Sequence, residues 1–110
     1  MEEKFGRGDI IWVQFNPTRG SEQKGRRPAV VLSPESYNSK SSLMIVVPIT
    51  RIAKGYPFEV DIKARNVSGV VLTDQIRTID WRARAVQKVG RVSDEKLRII
   101  GRHLNLLLPT

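Results

Sequence analysis

The sequence contains no cysteine and a single histidine, His103. The first absence excludes a disulfide framework and thiolate metal ligands, and the second excludes a site built from several imidazoles. A cytosolic protein without a bound metal or other cofactor is the expectation. No apolar run approaches the ~20 residues that a bilayer-spanning helix needs, and the opening residues, MEEKFGRGDI, are acidic where an export signal would be apolar. Neither a membrane partner nor secretion is expected. Aromatic residues make up only 6% of the chain, too few to supply the stacking platform of a plain RNA-binding barrel.

What the chain does have is positive charge. Nineteen Lys and Arg stand against 11 Asp and Glu, a formal net charge of +8. Such a surface favours polyanions, because each neutralised phosphate releases condensed counterions, and it suits an acidic protein partner equally well. The length of 110 residues fits one domain, 1–110, with a single core.

Along the chain, Asp9 to Phe15 (DIIWVQF) is apolar, β-branched and aromatic, and it reads as a strand. NPTRGSEQKGRR follows, with glycines, a proline and almost no hydrophobic side chain, the composition of an exposed loop. Pro28 to Ser33 and Leu43 to Ile49 read as strands, and Pro48 is expected to put the latter at an edge, an end or a bulge. Phe58 to Ile62, Val67 to Thr73 and Ala85 to Val92 complete the strands, with DQIRTIDWRAR read as a polar connector. Five or six short strands predict a mainly β fold, a small closed barrel. From Ser93 the period changes: Leu97, Ile100, Leu104 and Leu107 recur at helical spacing, with Ser93 placed to cap.

Chemistry concentrates where the first loop meets the second strand. Arg27 carries a fork of donors suited to phosphate at a place that Pro28 helps to fix, although a simple ion pair with Glu22 explains it equally well.

RGDIIWVQFNPTRGSEQKGRRPAVVLSP, VPIT, KGYPFEV and TDQIRTIDWRAR, in this order over nearly the whole chain, resemble the MazF/PemK/Kid family of toxin ribonucleases. The resemblance implies an SH3-like barrel with a C-terminal helix, a homodimer, and a type II toxin that cleaves single-stranded RNA, messenger RNA above all, without a metal. The ribose 2′-OH attacks the adjacent phosphate and leaves 2′,3′-cyclic phosphate and 5′-OH ends. The implied partner is a cognate antitoxin with an acidic tail, which agrees with the charge.

Carried over residue by residue, the family's arginine is Arg27 and its hydroxyl residue after the VP strand is Thr50, with Glu22 as the loop acid and Asp74 and Gln75 as the Asp-Gln pair. Arg19, Lys24, Arg26, Arg51, Lys54, Arg77 and Arg84 are expected to track RNA, with Arg82 beside them, and Tyr56 and Trp81 to offer stacking faces, whereas Phe15, inside a strand, fits core or dimer packing better. The sequence departs from the family pattern at Ser21 and Leu72, where some members carry a histidine and an arginine. His103 lies on the helix, as a surface or interface residue, and replaces neither.

In-line attack needs a base for the 2′-OH, stabilisation of the phosphate charge, and a proton for the departing oxygen. Arg27 suits the second role, since arginine is a poor base. Thr50 can hydrogen-bond the phosphate or the 2′-OH, and Glu22, Asp74 or a water they orient is the better base. A competing reading is a non-catalytic toxin of the same fold that poisons a protein such as a topoisomerase, which has no need of Arg27 and Thr50.

Overall fold

The computed structural model describes residues 3–14 and 26–109. Neighbouring side chains of a strand point to opposite faces, and in β1 (Asp9–Gln14) both faces are apolar. Ile10 joins a buried cluster with Val30, Val47, Ile49 and Val71, while Ile11 and Val13 join a second with Ala29, Val31, Met44 and Val46. The strands β2 (Arg26–Val31) and β3 (Leu43–Thr50) therefore lie in the middle of the molecule, with a core on either side. That is why they read as continuous hydrophobic runs rather than as alternating patterns.

Between β2 and β3 stands a short helix, α1 (Glu35–Ser41), which the sequence reading did not anticipate. After β3 come β4 (Glu59–Lys63), β5 (Ser68–Leu72), β6 (Arg77–Asp80) and β7 (Val86–Arg91), then α2 (Asp94–Leu107). The antiparallel sheet has the order β4-β5-β3-β2-β1-β7, with β6 also on β3. Its end strands meet through side chains rather than a ladder: a Cβ added at Gly90 of β7 would lie 3.9 Å from that of Ala64, just past β4. The result is a curled, SH3-like half-barrel with a C-terminal helix, as expected from the sequence.

Helix α2 closes the first cluster with fully buried Ile100 and with Leu97 and Leu104 packed against it. Burying one such side chain contributes about 2 kcal/mol. Ser93 caps α2 as anticipated, its Oγ accepting from Lys96 N at 3.2 Å. Leu107, at the end of the apolar stripe, is exposed.

The expectation for Pro48 is met in one sense: it forms, with Ala29, the last pair of the β2–β3 ladder, two residues before β3 ends. Ile45 directs its carbonyl to Leu32 of the β2 side, so by alternation Pro48 turns its nitrogen the other way. On that side β3 pairs with β6 through Val46 and with β5 from Ile49 onward, and Pro48 falls in the gap between them. No ladder bond is lost there.

DQIRTIDWRAR is also not merely a connector, since it contains β6. Only Ile79 of that strand is buried. One inward residue in four gives no periodicity to read.

The second cluster is covered by Phe5 and Trp81, whose rings meet edge-on at 5.3 Å. Asn38, 1% exposed, holds this cover in place. Its Nδ2 donates to the Phe5 carbonyl at 2.8 Å and the Ser33 carbonyl at 3.1 Å, its Oδ1 accepts from Ser33 Oγ, and its carbonyl accepts from Trp81 Nε1 at 2.9 Å.

Candidate active site

The β2–β3 ladder ends with Ala29 opposite Pro48. Carried two residues further, the same register sets Arg27 opposite Thr50 and on the same face of the sheet. Beyond the ladder's end the strands border a cleft of about 520 Å³, lined by Arg27 and Thr50 together with Trp12, Arg26, Arg51 and Asn66. Arg27 is exposed and Thr50 half-buried.

One glycine brings the third wall. Gly69 of β5 has φ +153°, and a Cβ built there would stand 2.2 Å from the Thr50 carbonyl oxygen. Only glycine lets the start of β5 come this close to the end of β3. Val70 then pairs with Thr50, and Asn66 and Ser68 face the cleft.

Three arginines, 26, 27 and 51, share this space, and among its described lining residues there is no carboxylate. Grouped like charges repel unless an anion sits between them, and guanidinium groups fit phosphate oxygens. The arginines are not equivalent. Arg26 donates to Gln87 Oε1 at 2.9 Å and lies 5.8 Å from the centre of the Trp12 ring. Arg27, exposed at the start of β2, makes no side-chain hydrogen bond or ion pair with another described residue. Thr50 Oγ1 accepts from Ile52 N at 3.2 Å and keeps its own proton to donate.

The other residues predicted from sequence are divided between places. Asp74 and Gln75 lie beyond the far end of β5, in a turn where Gln75 N donates to the Leu72 carbonyl at 3.1 Å. From Ser68, at the cleft, to Asp74 the chain covers roughly 15–20 Å at the strand rise of about 3.3 Å per residue. Asp74 therefore does not join Arg27 and Thr50 within one chain, which corrects its expected place in the catalytic group. Lys54 and Tyr56 belong to the loop before β4. Its backbone is fastened by Glu59, whose carboxylate accepts from Lys54 N at 3.1 Å and from Gly55 N at 3.1 Å. Tyr56 stacks on Phe58 at 5.3 Å and is 51% exposed, so its outer face is open.

Arg77 sits on β6 opposite Val46. Arg84 donates to the Gln14 carbonyl at 2.6 Å and so fastens the end of β1. Arg82 lies 4.8 Å from the Trp81 ring centre and donates to the Ser39 carbonyl at 3.2 Å. None of these three lines the cleft, so the expected cluster of basic loops beside it reduces, among the described residues, to Arg26, Arg27 and Arg51. Trp81 is corrected too. Half-buried, in T-shaped contact with Phe5, with Arg82 near its ring and its Nε1 bonded to Asn38, it packs on the second cluster and does not line the cleft.

Glu22, Arg19, Lys24 and Phe15 lie outside the described residues. His103 is half-buried, its Nδ1 3.2 Å from the Phe58 carbonyl oxygen and 3.5 Å from Thr73 Oγ1, and it belongs to the packing of α2 rather than to the cleft.

The sequence reading missed Trp12, Asn66 and Ser68 as cleft residues. Trp12 was hidden inside a strand that reads as core, and Asn66, in the turn before β5, and Ser68, the first residue of β5, owe their nearness to Thr50 to Gly69. An isolated glycine inside a strand was the available signal of close backbone approach.

Comparison with known proteins adds the following. The family of PemK-like, MazF-like toxins of type II toxin-antitoxin systems matches residues 6–108. The endoribonuclease toxin MazF of Escherichia coli is 52% identical over 101 residues, covering 92% of this chain and 91% of the relative. The crystal structure of MazF from Deinococcus radiodurans superposes with a TM-score of 0.88 at 43% identity, over 99% of this chain and 100% of that one. A MazE-MazF crystal structure from the same organism superposes with a TM-score of 0.86 at 39% identity, over 99% of both chains.

Proposed function

The chain belongs to the PemK-like, MazF-like toxins of type II toxin-antitoxin systems, and we infer that its arginine-lined cleft is where it cleaves RNA. The protein is an endoribonuclease toxin that acts on single-stranded RNA and is held in check by a cognate antitoxin. The observation that carries the site is the convergence of Arg27 and Thr50 at the open end of one ladder.

In this reading the scissile phosphate sits between Arg27 and Thr50. The neighbouring 2′-OH attacks phosphorus, the bond to the 5′ oxygen breaks as that oxygen takes a proton from water, and the products are a 2′,3′-cyclic phosphate and a 5′-OH. The Arg27 fork binds the non-bridging oxygens and stabilises the charge that grows on them. The Thr50 hydroxyl donates to the phosphate and fixes its orientation. With no carboxylate among the described lining residues, the 2′-OH proton passes to Glu22 of the preceding loop or to a water. Arg26 and Arg51 hold the backbone on either side, and Lys54, Tyr56, Gln75, Arg77 and Arg84 serve a more extended RNA path rather than the reacting phosphate.

The acidic segment of the antitoxin competes for the same arginines, and the toxin works as a cytoplasmic homodimer. Among the described residues no helix is long and apolar enough to cross a membrane. The non-catalytic alternative is not favoured, since a protein-poisoning toxin has no use for an arginine and a threonine brought together in one cleft.

The test is incubation of the purified protein with a long RNA in excess EDTA, with mapping of the ends. Discrete cuts bearing 5′-OH termini are expected, and deoxyribose at the cut position should abolish them. Cleavage that survives that replacement would overturn the mechanism.

A further inference from the structure

The cleft does not stop at the phosphate site. A second recess of about 570 Å³ shares Trp12, Arg26, Arg51 and Asn66 with it and adds Gln87 and Val89 of β7 as its own wall. The two spaces form one groove with a change of chemistry along it. Around Arg27 and Thr50 the groups suit a phosphate, whereas this end adds an aromatic ring and two amides, which together offer a stacking face and paired donors and acceptors.

Trp12 is half-buried, with the Arg26 guanidinium over its ring at 5.8 Å. Gln87 Oε1 accepts from Arg26 at 2.9 Å and steadies that arrangement, leaving the amide NH₂ of Gln87 to donate elsewhere. Asn66, exposed in the turn between β4 and β5, makes no hydrogen bond among the described residues and presents a donor and an acceptor side by side. Single-stranded RNA is read in this way, by splaying a base onto an aromatic or guanidinium face and pairing its edge with amides.

We propose that this recess is a nucleobase subsite, in which the base beside the scissile phosphate packs against Trp12 and Arg26 and is read by Asn66 and Gln87. The inference rests on the reading of the adjoining cleft as the site of RNA cleavage. It adds a source of sequence preference on the strand framework, independent of the loop before β2.

The experiment uses the full chain and a pool of RNA randomised around the cut, with sequencing of the ends. In wild type one position flanking the cut shows a preferred base. Asn66→Ala or Gln87→Ala should reduce the preference at that position about tenfold, the share of one base-edge pair, while other positions keep theirs. Asn66→Asp, which replaces a donor by an acceptor, should move the preference to another base. Where a variant cuts too slowly, sequences recovered bound from a pool with deoxyribose at the cut give the same readout. Unchanged preference at every position in all three variants would overturn the subsite, as would an equal loss at all positions. If the wild type cuts no RNA, the cleavage reading itself fails, a result distinct from both.

Discussion

Arg27 and Thr50 line one cleft, each two residues beyond the Ala29–Pro48 pair that ends the β2–β3 ladder. Because the ladder has ended there, the space between them is open and lined with positive charge. The strands fix both side chains, so in the proposed mechanism the phosphate is held by the sheet and not by a loop.

Arg27→Ala should reduce single-turnover cleavage about 10²–10³-fold, the typical effect of losing one group that stabilises transition-state charge. Arg27→Lys keeps the charge but loses the two-pronged geometry and should fall between the two. The side chain is exposed and unpaired among the described residues, so thermal melting of both variants should match wild type. Wild-type cleavage by Arg27→Ala would remove the residue from the mechanism.

Thr50→Ser preserves the hydroxyl and should cleave at nearly the wild-type rate. Thr50→Ala loses a hydrogen bond to a charged group, about 1.5–3 kcal/mol, and should slow cleavage by roughly 10- to 150-fold. Equal rates for the two variants would show that the hydroxyl takes no part.

Gly69→Ala introduces a Cβ that meets Thr50 backbone, 2.2 Å from its carbonyl oxygen. Either β5 or the end of β3 must move, so the variant should lose more than about 1 kcal/mol of stability and most of its cleavage together. Urea unfolding and the cleavage assay check this. An unaltered variant would mean that β5 does not hold Thr50 in place.

Asn38→Ala leaves the Phe5 and Ser33 carbonyls without their buried donor and should cost about 2–4 kcal/mol in urea unfolding. Cleavage per folded molecule should persist, since Asn38 fastens the cover of the second core and lies outside the cleft. A loss of cleavage in a fully folded variant would connect that cover to the site.

Much of this architecture could be read from the residues themselves. Strand positions follow from β-branched runs and their punctuation, and α2 follows from the three- and four-residue spacing of Leu97, Ile100 and Leu104 with Ser93 as cap. The short elements escaped, because α1 and β6 are held by contacts to the rest of the fold, Asn38 in one and Ile79 in the other, rather than by any repeating pattern.

Charge, lone histidine, missing cysteine and ordered motifs were enough, by sequence alone, to point to RNA and to Arg27 and Thr50. Which of the predicted residues share one cleft was decided only in three dimensions. Pairing of β2 with β3 carried Arg27 and Thr50 to one cleft beyond the ladder's end, and the glycine at 69 brought the start of β5, with Asn66 before it, close to Thr50. The same geometry sent Asp74 to the other end of β5 and turned Trp81 into the core. Distance along a chain says nothing about which ends of antiparallel strands meet, since that depends on pairing between residues far apart in sequence.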